Sequence, residues 1–192
     1  MPPKEKLGRQ DVIQGAVELV RECGYDALNA RALAQRLGCS TMPLFRHFKG
    51  MDEIRMATFA RVGEIYAAYI RRGAEQEIPF KAVGMEYIRF AKEEPNLFRL
   101  MFMTDPHSLP MMPPEDPTHQ QVSSLASRAS GLRGESAETV YREMWIFVHG
   151  IATLIVTGVM DFQEAEISTM LTDVFQGLRR KMNQQQEDTN HE

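Results

Sequence analysis

Apolar residues recur at steps of three and four along almost the whole chain, the spacing that aligns side chains on one face of an α-helix. No convincing two-residue alternation of the kind found in β-strands accompanies it. The stretches with helical spacing fall in residues 12–23, 54–69, 79–93, 96–103, 118–129, 137–159 and 167–182. The pattern therefore predicts an all-α protein.

One stretch interrupts this pattern. Residues 104–117 hold half of the prolines of the chain, and a proline removes a backbone donor and clashes inside a helix. We expect this stretch to be irregular. We also expect the polar tail from Gln184 onward to fray.

The run from Asn29 to Ile54 predicts two short helices separated by a turn, the layout of a helix-turn-helix. Asn29 is a suitable N-cap for the first helix. Gly38 follows that helix, where the chain often needs a positive φ that glycine adopts at low cost. The apolar face of the first helix comprises Leu33, Ala34 and Leu37.

The second helix of this motif is expected to begin at Thr41, with Ser40 as its cap and Pro43 in its first turn. Leu44 and Phe48 are four residues apart and are expected to pack it against the first helix. The outward face or its edges then comprise Thr41, Met42, Phe45, Arg46 and His47. A short outward helix with polar and basic side chains fits the major groove of DNA.

These elements predict two domains. A first helix over residues 12–23 would complete a three-helix head, and a long helix through Arg71 would connect it to the rest. We expect a DNA-binding head in residues 1–55 and a helical body in residues 56–192. The distribution of charge supports a DNA-binding head modestly. Residues 1–55 carry nine Lys and Arg against seven Asp and Glu, a net charge of +2, whereas residues 56–192 carry 13 against 19, a net charge of −6. Lys4, Lys6 and Arg9 form a possible basic arm.

The penultimate helix is apolar nearly all round between Met144 and Met160. Such a helix is either embedded in a membrane or covered by protein on every side. This run contains His149, Thr153 and Thr157 and is shorter than the ~20 residues of a membrane span. We therefore expect no membrane insertion. Instead, the helices near 136–160 and 165–183 are expected to form a hairpin that pairs with a second copy in a homodimer.

Tyr141, Trp145 and His149 lie on one stripe of that helix at four-residue steps. For each residue taken singly, a place in the core is the better interpretation. Taken as a group, they favour the wall of a pocket for a small apolar or amphipathic molecule. The residues expected to complete this pocket are Phe98, Met101, Phe102 and Tyr87.

Catalytic and metal-binding chemistry finds no support in the sequence. His107, His119 and His191 have no carboxylate or thiol at ligand spacing, and no glycine-rich phosphate loop occurs. Cys23 and Cys39 have no metal spacing either, so we expect buried thiols in a reducing compartment. The N-terminus lacks an apolar signal core. We expect a cytoplasmic protein that is not an enzyme and needs no cofactor.

The residues around the helix-turn-helix resemble the TetR family of bacterial transcription regulators. That family has a first helix ending in Glu-x-Gly, then Thr-x-x-x-(Ile/Leu)-Ala-x-x-x-Gly, then Ser-x-x-x-(Leu/Phe)-Tyr-x-His-Phe-x-x-Lys-x-x-Leu. Most of these anchors are present, and the residues at the corresponding positions are Glu22, Gly24, Asn29, Leu33, Ala34, Gly38, Ser40, Leu44, Phe45, His47, Phe48 and Ile54. In the body, the run Trp145 to Gly150 resembles a Trp-x-x-x-His-Gly motif of one C-terminal class of the family, and the run Pro95 to Phe102 resembles the segment that accompanies it.

The resemblance implies roles for individual residues. Arg31 matches a position that contacts a base or a phosphate, and His47 and Lys49 match phosphate-facing positions. Our candidates for base contacts are Thr41, Met42 and Arg46. Ser40 and Phe45 complete the set of eight residues that we expect to contact DNA. Three positions depart from the pattern: Phe45 replaces a tyrosine, Met51 replaces a lysine, and Pro43 replaces a small polar residue. The first two remove phosphate contacts.

Together these observations predict a ligand-responsive transcriptional regulator, most simply a repressor. It would bind a palindromic double-stranded DNA operator as a homodimer and leave it when a small apolar or amphipathic effector shifts the population of body conformations. One alternative is a helical binding or scaffolding protein whose helix-turn-helix no longer binds DNA, supported by Phe45 and Met51. Another is an activator of transcription, which the sequence does not separate from a repressor.

Overall fold

A computed structural model describes residues 7–105 and 118–189, with the backbone alone for residues 185–189. All regular structure in this part of the chain is helical, which confirms the all-α prediction. The helices are α1 (Arg9–Cys23), α2 (Ala30–Arg36), α3 (Met51–Ala74), α4 (Pro79–Glu93), α5 (Pro95–Phe102), α6 (His119–Ser130), α7 (Gly134–Val156) and α8 (Glu164–Thr189), with short 3-10 helices at Tyr25–Ala27 and Met42–Arg46.

Some expectations concern residues outside the described ranges. These are Lys4 and Lys6 of the basic arm, residues 106–117 of the proline-rich stretch, with His107, and His191 of the tail.

The chain divides into two compact units. The first contains residues 1–65 and 94–113, and the second contains residues 66–93 and 114–192. The division expected at residue 55 lies within α3, which continues without a break to Ala74. The expected boundary between a DNA-binding domain and a ligand-binding and dimerisation domain at residue 55 therefore stays a proposal.

The first unit is built around α1. One face of this helix is buried, and it packs against α2 and α5. The Arg21 Nε donates to the Glu94 Oε2 at 2.7 Å, and the Asn96 Nδ2 donates to the Arg21 carbonyl at 2.9 Å. These two contacts fix the start of α5 against the end of α1.

The turn chemistry of the helix-turn-helix is largely as predicted. The Asn29 Oδ1 accepts a hydrogen bond from the Ala32 N–H at 3.0 Å, so Asn29 caps α2. Gly38 has φ 61°, in the left-handed region that favours glycine. The prediction for Ser40 is wrong: Thr41 precedes the next helix and no side chain caps it.

That next helix is a 3-10 helix of five residues, not the expected α-helix. Its first bond runs from the Leu44 N–H to the Thr41 carbonyl at 3.2 Å, three residues apart. A segment this short closes few bonds, so the tighter 3-10 winding is available to it. Pro43 lies in its first turn as predicted.

The second unit packs α4 and α6 against α7, with α8 alongside. Gly73 at the end of α3 permits a close approach, because a Cβ there would lie 2.7 Å from the Val83 Cα. The buried Glu86 carboxylate accepts from the Arg72 Nε at 2.7 Å and also pairs with Arg89. This pairing compensates the burial of a charge in α4.

Two further expectations fail. Cys23 is exposed and Cys39 is only partly buried, because Cys23 ends α1 beyond its packed face and Cys39 follows the turn at Gly38. The tail also does not fray at Gln184, since α8 continues to Thr189. Within the described ranges, the structure contains no helix long and apolar enough to span a membrane.

Candidate nucleic-acid interface and ligand cavity

The 3-10 helix Met42–Arg46 has one face in the core and one face in solvent. Leu44 is fully buried, and Phe48 just beyond the helix is 3% exposed. On the opposite side, Met42 is 75% exposed and Phe45 is 42% exposed. An apolar pair therefore anchors the segment and leaves its other side chains outward, as the four-residue spacing predicts.

All eight side chains predicted to contact DNA are exposed in the first unit. They are Arg31, Ser40, Thr41, Met42, Phe45, Arg46, His47 and Lys49. Seven of them fall within ten consecutive residues, and Arg31 lies in the first turn of α2. We call this set the outward face.

The two arginines of the outward face, Arg31 and Arg46, form no ion pair within the described residues. Among residues 7–105 and 118–184, no carboxylate lies within 4.0 Å of the Arg31 or Arg46 guanidinium. Arg36 on the same helix as Arg31 differs, because it donates to Glu22 at 2.7 Å and to Glu18 at 3.1 Å. The hydrogen bonds from Arg36 lower the pKa of the Glu22 carboxyl. Arg36 thus links α1 to α2, whereas Arg31 and Arg46 stay available to an anion.

Two other contacts position the end of the outward face. The His47 Nε2 lies 3.2 Å from the Leu7 carbonyl oxygen. The Lys49 N–H donates to the Glu53 Oε2 at 2.7 Å, so the first turn of α3 holds the backbone while the Lys49 amine stays exposed. An anionic phosphate at the exposed Lys49 amine would gain charge-assisted hydrogen bonds.

The second unit encloses a cavity of about 390 Å³. Its walls come from the end of α3 and from α4, α6, α7 and α8, and they are mostly apolar and aromatic. The lining residues are Tyr66, Ile70, Ile78, Phe80, Lys81, Val83, Gly84, Tyr87, Thr118, Val122, Ala129, Tyr141, Met144, Trp145, Val148, Leu171, Thr172, Phe175, Gln176 and Arg179. Its volume lies at the lower end of the ~300–1,000 Å³ typical of small-molecule sites.

Three of the seven residues predicted to contact a ligand line this cavity, namely Tyr87, Tyr141 and Trp145. His149 is not among the lining residues but supports two that are. Its Nδ1 lies 2.9 Å from the Tyr87 hydroxyl, and its ring stacks on the Trp145 ring at 5.2 Å between centroids. Burial lowers the pKa of His149 below its ordinary value, which favours the neutral imidazole.

Phe98, Met101 and Phe102 are not among the lining residues either. All three belong to α5 in the first unit, where Phe98 is fully buried and its ring lies 5.0 Å from that of Phe102. Their apolar pattern reflects packing within that unit, and periodicity alone cannot separate a core residue from a pocket wall. The structure therefore removes them from this cavity.

Sequence reasoning missed the polar part of the cavity, which consists of Lys81, Thr172, Gln176 and Arg179. Three of these residues lie on α8 beside apolar positions that the helical spacing does reveal. The Lys81 Nζ donates to the Thr172 Oγ1 at 2.8 Å. A one-sequence pattern gives no signal for this pairing, because the two residues are 91 positions apart.

Comparisons with known proteins cover both units. Residues 12–58 match the family model described as bacterial regulatory proteins, tetR family, and residues 80–178 match the one described as tetracyclin repressor-like, C-terminal domain. An uncharacterised helix-turn-helix transcriptional regulator of Mycobacterium tuberculosis is 25% identical over 181 residues, 88% of this chain and 78% of that protein.

Solved structures with low identity share the fold. A protein of unknown function from Rhodococcus sp. RHA1 has a TM-score of 0.71 at 19% identity, over 94% of this chain and 98% of that one. A variant of TetR from Acinetobacter baumannii AYE, in complex with minocycline, has a TM-score of 0.60 at 20% identity, over 91% and 94%.

The Trp-x-x-x-His-Gly class is not what the matched C-terminal model describes, so that finer assignment stays a prediction. The family itself is established, because the C-terminal match alone covers more than half of the chain and the N-terminal match covers the helix-turn-helix. The chain belongs to the TetR family of DNA-binding transcriptional regulators.

Proposed function

We propose that this chain is a cytoplasmic, ligand-responsive repressor that binds a palindromic operator as a homodimer. The observation that carries the proposal is the outward face: an anchored short helix with Arg46, and Arg31 of α2, both exposed and without a carboxylate partner within the described residues. Thr41, Met42 and Arg46 are assigned to base edges. Arg31, His47 and Lys49 are assigned to phosphates or, for Arg31, to a base.

Ligand response is assigned to the cavity of the second unit. Its apolar walls and few polar groups are typical of small-molecule sites. A ligand that binds more tightly to a conformation unable to bind DNA shifts the population toward that conformation. The loss of DNA affinity cannot exceed the factor by which the ligand prefers that conformation. A TetR variant of similar fold was solved in complex with minocycline, and this likeness supports a small-molecule ligand for this chain.

The homodimer is assigned to α7 and α8. Trp145 is 42% exposed and Ile146 is 58% exposed on α7, and Val159 and Met160 beyond its end are exposed as well. Exposed large apolar side chains on one helix and just beyond its end favour a protein interface. Two heads in one dimer are also what a palindromic operator needs.

Binding to the DNA upstream of the chain's own gene tests the proposal. Fluorescence anisotropy is expected to show tighter binding to this DNA than to a scrambled duplex. Arg46→Ala should weaken binding by about 1–3 kcal/mol if its guanidinium binds one base edge. Arg128→Ala is the matched control, because Arg128 is an exposed arginine of α6 in the second unit.

Salt dependence separates phosphate contact from other binding. The logarithm of the binding constant should fall steeply with the logarithm of salt concentration, and Lys49→Ala should reduce the slope by about one if Lys49 neutralises one phosphate. Wild-type binding that is equally weak on both duplexes, or a flat salt dependence, would contradict DNA recognition. It would favour a helical binding protein instead.

A further inference from the structure

The charged residues among the described residues that line the cavity are all cationic. Its lining includes two cationic side chains, Lys81 on α4 and Arg179 on α8, and no Asp or Glu among the described residues. Among residues 7–105 and 118–184, no carboxylate lies within 4.0 Å of either cation. A cation without a carboxylate partner at the edge of an apolar cavity attracts a negatively charged group.

These cations belong to a polar strip along one side of the cavity, formed by Lys81, Thr172, Gln176 and Arg179. The three α8 residues follow at steps of four and three, so they share a helix face. Thr172 and Arg179 are separated by about 10 Å along the axis at ~1.5 Å per residue. Lys81 joins the strip at Thr172 through its 2.8 Å hydrogen bond.

The remaining walls are apolar, with six aromatic residues that cover the space away from the strip: Tyr66, Phe80, Tyr87, Tyr141, Trp145 and Phe175. The volume of about 390 Å³ lies at the lower end of the ~300–1,000 Å³ of small-molecule sites, which indicates a ligand of modest size. The ligand that fits both halves has an apolar part of about this size and one charged end.

We infer that the effector is a medium-sized anionic amphiphile, of the class of a medium-chain carboxylate. Its head lies at Lys81, beside Thr172, and its apolar chain lies against the aromatic wall, while Arg179 at the other end of the strip adds a weaker long-range attraction. The inference rests on the proposed function, since it takes this cavity to be the effector site. The rival is a cationic amphiphile, because aromatic faces also attract cations.

Three probes of nearly equal length separate the charges: decanoate, decan-1-ol and decylamine, each titrated near pH 7.5 below its aggregation limit. Trp145 is the only tryptophan of the chain and lines the cavity, so its fluorescence reports binding directly. Decanoate is expected to bind about tenfold more tightly than either other probe, which corresponds to about 1.4 kcal/mol. The titrations contain no DNA, so a negative result for ligand binding can be distinguished from a failure of the protein to bind DNA.

Substitutions then locate the charge. Lys81→Met should abolish the preference for decanoate, and Lys81→Glu should give a preference for decylamine. Arg179→Met, at an exposed position, should weaken decanoate binding about threefold, as expected for a partly solvated ion pair. Lys181→Met is the control, because Lys181 is exposed on α8 and does not line the cavity. Circular dichroism verifies folding of each variant.

Several results would overturn the inference. Wild-type protein that binds decylamine or decan-1-ol as tightly as decanoate has no anion preference. Binding of none of the three probes excludes this ligand class. Retention of the preference in both Lys81→Met and Arg179→Met would show that the polar strip does not supply it.

Discussion

The 3-10 helix Met42–Arg46 allows a sharp test, because adjacent residues have opposite environments. Leu44 is fully buried, whereas Phe45 is 42% exposed. Leu44→Ala should therefore destabilise the fold of the head, and Phe45→Ala should mainly affect what the outward face contacts. The two substitutions remove apolar side chains of similar kind at neighbouring positions, so each is a control for the other.

The magnitudes follow from burial. Truncation of a fully buried leucine to alanine costs about 2–5 kcal/mol, because it removes transfer free energy and leaves a cavity. For a chain of this size, each kcal/mol lowers Tm by about 2–4 °C, so Leu44→Ala should lower Tm by about 4–20 °C. Phe45→Ala should cost about 1–2 kcal/mol, since Phe45 is 42% exposed and only the buried part loses the ~1.5–3 kcal/mol of a fully buried side chain.

The assay combines thermal unfolding, followed by circular dichroism, with anisotropy on the upstream DNA. Leu44→Ala is expected to lose stability. Phe45→Ala is expected to lose less stability, with Tm within about 2–8 °C of the wild type, and to bind DNA more weakly. If Phe45→Ala is the more destabilised variant, the segment is oriented differently from the structure and the assignment of the outward face is wrong.

Three other predictions follow from the second unit. Gly73→Ala should destabilise the fold by about 1–3 kcal/mol in denaturant unfolding, because its Cβ would lie 2.7 Å from the Val83 Cα. Gly63→Ala, in open space on α3, should instead be neutral or stabilise by up to about 1 kcal/mol. A Gly73→Ala variant that behaves like Gly63→Ala would contradict the close approach. Burial lowers the pKa of His149 in the folded state, so the unfolded chain binds more protons near pH 6. When the pH is lowered from about 8 to about 5.5, the Tm of the wild type should therefore fall more than the Tm of His149→Phe. An equal fall in the two proteins would contradict a lowered pKa of His149 in the folded state. Ile146→Glu should convert dimers to monomers in light scattering, whereas an unchanged mass would remove α7 from the interface.

The helix boundaries could be predicted well because local chemistry sets them. Asn29 caps α2 and Gly38 follows it with a positive φ, and both residue types have strong local preferences. Pro79 and Pro95 also begin helices as expected of proline in a first turn. The winding of residues 42–46 could not be predicted, because the pattern of Leu44 and Phe48 fits both an α-helix and a 3-10 helix.

The cavity was predicted less completely because it depends on tertiary contacts. Tyr87, Tyr141 and Trp145 share apolar positions that a stripe reveals. Phe98 has an equally apolar pattern but belongs to the core of the first unit. The pairing of Lys81 with Thr172 joins residues far apart in sequence, and only the folded chain brings them together.

The most direct test of DNA recognition by the outward face is a hydroxyl-radical footprint on the DNA upstream of the chain's own gene. We expect two protected half-sites related by a palindrome, with centres about 10–10.5 base pairs or a multiple of that apart. Arg46→Ala should lose both together, and Arg128→Ala should keep them. Uniform protection along the duplex, or a footprint that Arg46→Ala leaves unchanged, would contradict the account.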